Sequence, residues 1–461
     1  MNPASFWQEQ YRIVPSQLQL LPKIHSVVTA FNTNIDAVIK LKGSQIAELA
    51  AAVNIDNASA SLPSRISTPQ DVVRGIIRCF TLGIAEEWLA EDAQIVTWMM
   101  QNLGYDRLQM GGQSGIISNV MALLGVNKVY VHTNSHPALQ SQQFLDMDNL
   151  LAIDENGSWQ KASAVSRNDD PLIHWIIEFD KDDVLPLNGK NYVCPKANRF
   201  IATYDPANMN LQINPDFINK INQQGFNYLI LSGYHNLTAH NRGMELIEEN
   251  ISLLRSWKQK WPHGIIHLEL ASTQDKIIRL AIINKIAPLV DSVGLNDRET
   301  LDALEVADPE LYHDLSKGKP TSVQLLQALY CLKEKLKTPR LQLHMFGLYI
   351  TLQDSDFSLS PRQNKNGMML AATVAASKAG IGQLANTADL LWAHGQDVSS
   401  VGLAELENLA RFIGDNNLML SGIGKYRGYD IIAVPTILID KPKTLVGMGD
   451  TISSVSLVGA G

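Results

Sequence analysis

The sequence predicts an α/β protein with a mainly parallel sheet that helices cover on both faces, and a small β-rich unit inserted into it. From about 215 to 295, short apolar runs typical of strands alternate with longer segments of helical apolar spacing. Repeated strand–helix units of this kind place their strands in parallel. Strand patterns without intervening helices occupy about 35–60 and 148–205, which are therefore the expected insertion.

The individual elements follow from the same apolar spacing. Strands of the large sheet are expected at 26–31, 129–133, 228–232, 264–269, 292–295, 341–352 and 444–446. Helices are expected at 68–108 in two pieces, from the glycine-rich segment 111–115 to 124, and at 216–224, 242–258, 273–285 and 367–379. Strands of the insertion are expected at 37–42, 150–153, 158–162, 174–179 and 200–204, with a hairpin turn at 154–157 (DENG).

Two units follow from this order of elements. We expect a large core made of 1–34, 61–147 and 206–461, and a small discontinuous β-rich unit made of 35–60 and 148–205. The small unit would act as a lid over the core. The cleft between the two is then the default place for a small-molecule ligand.

Composition excludes several classes of protein. The chain has 461 residues, of which 45% are apolar and 18% charged, as in globular proteins. A net charge of −8 argues against a nucleic-acid partner. The N-terminal segment MNPASFWQEQYRIVPSQ lacks the apolar stretch of a signal peptide, and no apolar run reaches the length of a membrane span. With three scattered cysteines that form no metal pattern, we expect a cytoplasmic protein without a membrane partner.

The segment Gly447-Met448-Gly449-Asp450, near the C-terminus, carries the main catalytic candidate. Its glycines would let the backbone approach a ligand closely, and the free N–H groups of the helix that follows would bind an anion. Such a place suits the charge that develops on a transferred phosphoryl group, and Asp450 could accept the proton of an attacking hydroxyl. The alternative is that Asp450 only caps the helix.

Two acids follow the ends of neighbouring core strands. Glu269 closes the segment His267-Leu268-Glu269, and Glu299 follows the strand at 292–295. Open α/β sheets build their sites at the carboxyl ends of strands, and carboxylates there can hold Mg²⁺, often through water. For Glu299 the alternative is a solvated acid that the helix dipole favours.

Polar side chains also close the first strand of the chain. Asn32, Asn34 and Asp36 would lie on one face if the strand continues, and such side chains suit sugar hydroxyls. The alternative is a turn rich in Asn and Asp. The glycines at 111–112 form a second candidate for close backbone approach, or else a plain helix start.

Six segments resemble, in order, the ADP-dependent sugar kinases, the glucokinase and phosphofructokinase group of the ribokinase-like superfamily. They are FNTNIDAV (31–38), MGGQSGIISN (110–119), ANRFI (197–201), HLE (267–269), NDRE (296–299) and GMGDTISS (447–454). The resemblance covers nearly the whole chain. It implies a ribokinase-like three-layer α/β/α core with a lid, and transfer of the β-phosphoryl group of ADP to a sugar with Mg²⁺, leaving AMP.

The resemblance also assigns roles on the nucleotide and metal side. Asp450 matches the catalytic base, and the backbone amides of Gly447, Met448 and Gly449 match an anion hole around the transferred group. Glu269 and Glu299 match the acids that organise the metal, and Arg199 matches an arginine that clamps the nucleotide phosphates. Lys196 departs from the pattern, since an arginine is expected there. The adenine pocket is expected to include 432–437, whereas His344 is expected to pack in the core.

On the sugar side the resemblance selects hydroxyl-binding positions, namely Asn34, Asp36, Gly112, Gln113 and His174. Glu87 falls where glucokinases of this group carry a glutamate, although the adjacent Glu86 leaves the alignment open by one residue. A carboxylate accepts hydrogen bonds from sugar hydroxyls but repels a phosphorylated sugar. The expected reaction is therefore phosphorylation of the 6-hydroxyl of glucose, giving glucose 6-phosphate.

Several alternatives stay open at this point. The acceptor could be fructose 6-phosphate, alone or together with glucose. The chain could be an ATP-dependent kinase of the wider superfamily, or a sugar- or nucleotide-binding regulator that keeps the fold without activity. It could be a monomer or a small homo-oligomer.

Overall fold

The computed structural model describes residues 2–57, 65–90 and 92–461. Its strands are β1 (Val27–Ala30), β2 (Asn34–Lys40), β3 (Arg65–Ile66), β4 (Glu86–Ala90), β5 (Arg107–Gly111), β6 (Val129–Val131), β7 (Leu150–Ile153), β8 (Trp159–Lys161), β9 (Ile173–Phe179), β10 (Val184–Leu187), β11 (Lys190–Val193), β12 (Asn198–Tyr204), β13 (Tyr228–Leu231), β14 (Ile265–Glu269), β15 (Ser292–Asn296), β16 (Arg340–Met345), β17 (Leu348–Gln353), β18 (Ile423–Tyr426) and β19 (Tyr429–Pro435).

The α-helices are α1 (Pro3–Arg12), α2 (Gly43–Ala52), α3 (Pro69–Leu82), α4 (Ala93–Asn102), α5 (Gln113–Leu123), α6 (Ala138–Ser141), α7 (Pro206–Met209), α8 (Pro215–Gln224), α9 (Gly243–Lys260), α10 (Lys276–Ala281), α11 (Asp297–Ala307), α12 (Pro309–Leu315), α13 (Ser322–Leu336), α14 (Pro361–Ile381), α15 (Ser400–Ile413), α16 (Leu418–Ser421) and α17 (Met448–Val458). Short 3-10 helices lie at Val14–Gln19, Leu21–Lys23, Tyr234–Asn236, Ala287–Leu289 and Thr387–Gly395, and a π-helical turn at Ile282–Ile286.

The large sheet has the strand order β18-β19-β17-β16-β15-β14-β13-β1-β6-β7-β8. From β16 to β7 all neighbours pair in parallel, and antiparallel strands complete both edges. The central strands β1 and β13 are buried at every residue, as strands covered on both faces must be. Helices α5, α14 and α17 pack together on the sheet, and α9, α10, α11 and α13 form the other layer. The predicted mainly parallel α/β sheet is confirmed.

Two predicted strands of the large sheet differ in the structure. The apolar stretch 341–352 is a hairpin of two antiparallel strands, β16 and β17, because Gly347 with a φ of 86° allows the chain to turn. Residues 444–446 are not a strand but an irregular segment that leads into α17.

The second sheet has six strands in the order β3-β4-β12-β9-β2-β5. Helices α2, α3 and α4 pack against one face of it, and a hydrophobic core separate from that of the large sheet lies between them. The buried side chains of this second core include Trp88, Trp175, Phe179 and Phe200. The smaller unit is thus an α/β layer with one covered face and one face left for a ligand, rather than only β-rich.

The boundaries between the units differ from the expected ones. Residues 61–147 are predicted in the large core, but β3, β4 and β5 belong to the second sheet, because β4 pairs with β12 and β5 with β2. Conversely, β7 and β8 fall within the predicted lid range 148–205 but extend the large sheet, since β7 pairs with β6. The predicted boundary at 60/61 lies outside the described residues.

No helix among the described residues has the length and apolar character needed to span a membrane.

We expect Phe200 to hold the second core together. Its ring is buried, lies edge-on to Trp88 with centroids 5.3 Å apart, and sits so close to Gly75 of α3 that a Cβ there would be 2.4 Å from it. Phe200→Ala should therefore lower the free energy of unfolding by about 3–5 kcal/mol, measured by urea denaturation. Val193→Ala, at a side chain 54% exposed, is the control and should change it by less than about 0.5 kcal/mol. An unchanged urea midpoint for Phe200→Ala would contradict this role.

Candidate active site

A cavity of about 380 Å³ lies between the uncovered face of the second sheet and the carboxyl ends of the large sheet's strands. Its walls are formed by Asn32, Asn34, Asp36, Glu87, Gly112, Gln113, Ile116, His174, Ile176, Arg199, Ile201, His235, Asn236, Ala271, Asn296, Glu299, Leu445, Val446, Gly447, Met448, Gly449 and Asp450. Of the site residues predicted from the sequence, all but Glu269 line this cavity. The predicted cleft between two units is therefore present and gathers residues that are far apart in the chain.

Strands β2 and β9 present polar side chains to the cavity because side chains alternate along a strand. Ile35 and Ala37 pack into the second core, so Asn34 and Asp36 point the other way. Asn34 Nδ2 donates to Asp36 Oδ1 at 2.9 Å. His174 stands opposite Asp36 in the pairing of β9 with β2. The three polar residues thus form one wall of the cavity.

Strand β4 decides which of two adjacent glutamates faces the cavity. The carboxylate of Glu86 accepts hydrogen bonds from Arg78 Nε at 3.1 Å and from Trp88 Nε1 at 3.0 Å, away from the cavity. Glu87 points to the opposite face, lines the cavity and accepts from Thr203 Oγ1 at 2.8 Å. The alternative that the sequence leaves open is therefore resolved in favour of Glu87 as the residue in the cavity.

Charged groups on this wall influence one another. Burial alone would lower the pKa of His174, but its 3.0 Å hydrogen bond to Asp205 and the charges of Asp205, Glu87 and Asp36 outweigh burial and raise it. Burial also raises the pKa of Asp36 to about 6, an effect that His174 and Asn34 oppose. The wall therefore carries both acceptors and a donor for hydroxyl groups.

Strand β12 contributes Arg199 by the same alternation. Phe200 is buried in the second core, so Arg199 and Ile201 face the cavity. The guanidinium of Arg199 is half-buried and approaches the cavity from the second sheet, across from the glycines of 447–449. Arg199 is thus in reach of a ligand that lies between the two units.

Gly112 and Gln113 stand where β5 passes into α5. The φ of Gly112 is 71°, and a Cβ at this position would lie 2.7 Å from the carbonyl oxygen of Asn32. Only glycine avoids both the strain of this positive φ and the collision of a Cβ with the carbonyl oxygen. Gln113 then begins α5, and its Nε2 donates to Asp450 Oδ1 at 3.0 Å. The predicted close-approach loop therefore aims an amide at the predicted base.

Asp450 lies in the first turn of α17, which begins at Met448 with Gly447 as its N-cap. Asp450 is therefore not the cap of this helix, and its carboxylate turns toward Gln113 instead. Burial raises the pKa of Asp450, while the hydrogen bond from Gln113 and the charge of Lys378 oppose the rise. The first amides of α17 have no partner within the helix and lie beside this carboxylate.

Glu269 and Glu299 lie behind and beside Asp450. Glu269 is buried at the end of β14, 3.3 Å from His267 Nε2. Burial, followed by the charges of Asp450 and Glu299, raises its pKa well above the ordinary value. Glu299 forms a capping box with Asn296, yet it also lines the cavity, and burial raises its pKa to about 8. Glu299 thus stands at a helix N-terminus, as one prediction has it, and its role toward a metal stays a prediction.

The described residues contain no group of three or more His, Cys, Asp or Glu side chains placed to hold a metal ion on their own. The charge of Asp450 nevertheless adds to burial in raising the pKa of both Glu269 and Glu299, so the three carboxylates share one electrostatic environment. The oxygen donors fit Mg²⁺, which keeps several of its waters and needs few protein ligands.

A second cavity of about 980 Å³ adjoins the first and shares Asn296, Leu445, Met448 and Gly449 with it. Thr436 and Ile437 line it, whereas 432–435 lie within β19, so only the end of the segment expected around adenine reaches this cavity. His344 also lines it and lies next to Gly449, where a Cβ would be 2.9 Å from His344 Nε2. His344 is buried, as expected of a residue that packs in the core, and it borders this cavity as well.

Sequence reasoning missed His235 and Asn236, which form a 3-10 turn after β13 and line the first cavity. Burial lowers the pKa of His235, and the charges of Glu87 and Asp205 oppose that change. A usable signal exists, because both residues follow the carboxyl end of a predicted parallel strand, where sites in such sheets are built.

Comparison with known proteins identifies the family. Residues 25–459 match the family described as ADP-specific Phosphofructokinase/Glucokinase conserved region. The chain is 29% identical to an ADP-specific phosphofructokinase of Methanosarcina acetivorans, over 95% of this chain and 94% of that protein. It is 30% identical to an ADP-dependent glucose/glucosamine kinase of Pyrococcus abyssi, over 98% of both.

Two solved structures match the whole fold. The last common ancestor of ADP-dependent phosphofructokinases from Methanosarcinales aligns with a TM-score of 0.86 at 29% identity, over 100% of this chain and 99% of that one. An ADP-dependent kinase in complex with fructose-6-phosphate and ADPbetaS aligns with a TM-score of 0.82 at 28% identity, over 98% and 97%. These likenesses extend over both sheets of the fold and support the predicted α/β core. The chain belongs to the ADP-specific phosphofructokinase/glucokinase family, whose members are ADP-dependent sugar kinases that phosphorylate a hydroxyl group.

Proposed function

We propose that this kinase transfers the β-phosphoryl group of ADP to the 6-hydroxyl of glucose, producing glucose 6-phosphate and AMP. The observation that carries the choice of sugar is the carboxylate of Glu87 in the cavity that also holds Asp450. Asp36 adds a second carboxylate to the same wall. Two carboxylates accept hydrogen bonds from neutral sugar hydroxyls and oppose the phosphate of a phosphorylated sugar.

Asp450 acts as the base in this proposal. It takes the proton of the acceptor hydroxyl, whose oxygen attacks the β-phosphorus of ADP, and AMP leaves with the electrons of the broken P–O bond. Burial makes the carboxylate a stronger base than a solvated aspartate, since it raises the pKa of Asp450. The 3.0 Å hydrogen bond from Gln113 holds the carboxylate toward the cavity.

The charge on the transferred group is balanced from two sides. The backbone amides of Gly447, Met448 and Gly449 lie at the start of α17, where N–H groups and the helix dipole favour an anion. Arg199 faces the same cavity from the second sheet. Its planar guanidinium can bind two phosphate oxygens at once. ADP would extend from there into the adjoining cavity lined by His344 and Ile437.

Mg²⁺ would be held by Glu269 and Glu299, mainly through water. These carboxylates are buried or half-buried, and neither forms an ion pair with a lysine or arginine among the described residues. When bound, the ion would neutralise part of the charge of the ADP phosphates. The hydrogen bond of His267 to Glu269 would orient that carboxylate.

Fructose 6-phosphate is the second candidate acceptor, and Arg199 is the observation that favours it. A cation in the sugar cavity could pair with a substrate phosphate, as could His174, whose pKa is raised by its carboxylate neighbours against the effect of burial. A related kinase 28% identical to this chain is described in complex with fructose-6-phosphate. The carboxylates of the cavity therefore favour glucose as the acceptor, whereas its cations favour fructose 6-phosphate.

The purified protein should form glucose 6-phosphate from glucose with ADP in the presence of Mg²⁺, and much more slowly with ATP or without the metal. Asp450→Asn should lower kcat by at least about 100-fold, because it removes the base, while the Kd for ADP stays within about threefold. AMP formation and isothermal titration measure the two effects. A variant that retains more than a tenth of the wild-type kcat would sink the assignment of Asp450.

Glu87→Gln should shift the choice of acceptor, since it removes a charge without changing the size of the side chain. We expect the ratio of kcat/KM for glucose over fructose 6-phosphate to fall by about tenfold or more. Glu86→Gln is the matched control, because Glu86 faces Arg78 and Trp88 instead of the cavity. Equal ratios in both variants would contradict the sugar-facing role of Glu87.

Glu299→Gln should raise the Mg²⁺ concentration needed for half-maximal rate by about tenfold or more, because outer carboxylates of a metal site typically contribute that much. A titration of the rate with Mg²⁺ at saturating ADP and glucose measures the change. Glu310→Gln, at an exposed position in α12, serves as the control. A titration curve for Glu299→Gln that overlays the wild type would rule out its role toward the metal.

A further inference from the structure

Lys378 lies in the last turn of α14, directly behind the turn that carries Asp450. Its Nζ donates to Thr451 Oγ1 at 3.2 Å and lies 3.4 Å from the carbonyl oxygen of Gly447. Thr451 Oγ1 in turn donates to the same carbonyl oxygen at 2.7 Å. An ammonium, a hydroxyl and a carbonyl group therefore form one cluster under the first turn of α17.

The orientation of one peptide bond makes this cluster important for the site. Carbonyl and N–H of a trans peptide point in opposite directions, and the unit between Gly447 and Met448 is planar. Because Lys378 and Thr451 hold the Gly447 carbonyl from behind, the N–H of Met448 points to the opposite side. Met448 lines the cavity on that side, together with Asp450. Gly447 itself has a φ of 60°, in the left-handed region.

The ammonium of Lys378 has no carboxylate within ion-pair distance among the described residues. The charged group that faces it from α17 is Asp450, whose carboxylate raises the pKa of Lys378, whereas burial lowers it to about 8. A cavity of about 320 Å³ lies on the other side of Lys378, and the side chains that line it from α5, β5 and 142–145 are apolar or neutral. Lys443, whose backbone N–H donates to Ala379, flanks the end of α14.

We propose that Lys378 is a positioning residue for phosphoryl transfer: it holds the turn 447–451 so that the Met448 amide and Asp450 face the transferred group. The inference rests on the proposed function, because it takes the turn 447–450 as the place of the reaction. A neutral side chain of similar length would leave the Gly447 carbonyl and the Thr451 hydroxyl without a charged partner, so that only Thr451, through its N–H at 3.1 Å and its Oγ1 at 2.7 Å, would still hold the carbonyl. The positive charge also lies close enough to Asp450 to favour its ionised form.

Lys378→Met should lower kcat by about 100-fold, since loss of one fixed oxyanion donor or a small misplacement of reacting groups costs that much. The KM values for glucose and ADP should change by less than about threefold, because the binding walls stay in place. Lys365→Met, on the same helix with its Nζ 6.0 Å from the Trp7 ring, is the matched control and should keep the wild-type kcat. A kcat of Lys378→Met within about twofold of wild type overturns the proposal.

Chemical rescue separates positioning from general structural support. Lys378→Ala removes the side chain beside the 320 Å³ cavity, through which a small amine can enter. Ammonium or methylamine should raise the kcat of this variant by about tenfold or more, and should leave wild type and Lys365→Met unchanged. A folded variant that neither amine rescues overturns the proposal.

The wild-type protein offers a test that needs no variant. Lys378 acts in its protonated form, so kcat should fall as the pH rises through its pKa of about 8; this loss lies on the alkaline side of the one that protonation of the base Asp450 causes at lower pH. A kcat that stays constant to pH 10 overturns the proposal, even if the variants fail to fold. If the wild-type protein does not phosphorylate any sugar with ADP, the proposed function fails first; if it does, these tests address Lys378 alone.

Discussion

The hydrogen bond from Gln113 Nε2 to Asp450 Oδ1 joins parts of the chain that are 337 positions apart, and the geometry of the site depends on it. Gln113 begins α5 directly after β5, the last strand of the second sheet in its spatial order, and α5 packs on β1 and β6 of the large sheet. Asp450 belongs to α17, which packs on α5 and α14. One contact therefore relates the wall that would hold the sugar to the helix that would activate it.

The charges around Asp450 explain why so many of the neighbouring groups have altered pKa values. Burial raises the pKa values of Asp450, Glu269 and Glu299, and the acids raise those of Glu269 and Glu299 further. Two buried cations oppose this accumulation of negative charge, Lys378 beside Asp450 and Arg340 toward Glu269. Arg340 is held by neutral partners, among them Asn364 and Ser292. The negative charge of these acids is only partly neutralised by nearby cations. Such a site suits a ligand that arrives with a metal ion, because the ion would supply the missing positive charge.

Local patterns predicted much of the fold but misassigned the units. The parallel strands and helices after 215 have the expected order, because each strand is a buried apolar run and each helix shows clear apolar spacing. Strands β4 and β5 escaped notice, since they are short and flank strongly helical segments, and β4 also carries the polar Glu87 on the face that lines the cavity. The hairpin of β7 and β8 was recognised, but which sheet it joins is decided by the pairing of β7 with β6. Pairing partners far apart in sequence leave no local signal.

The sequence by itself determined which residues are candidates for the site: an aspartate after two glycines, two acids at or near strand ends, and polar side chains that alternate with core residues along strands. Spacing along one element is enough for such inferences, because backbone geometry converts it directly into faces and ends. Only the tertiary structure decided that Glu87 rather than Glu86 faces the cavity, that His235 and Asn236 join it, and that Lys378 contacts the turn before Asp450. Each of these depends on the packing of one element against another that is remote in the chain, and on burial, which changes the pKa of a group without any mark in the sequence around it.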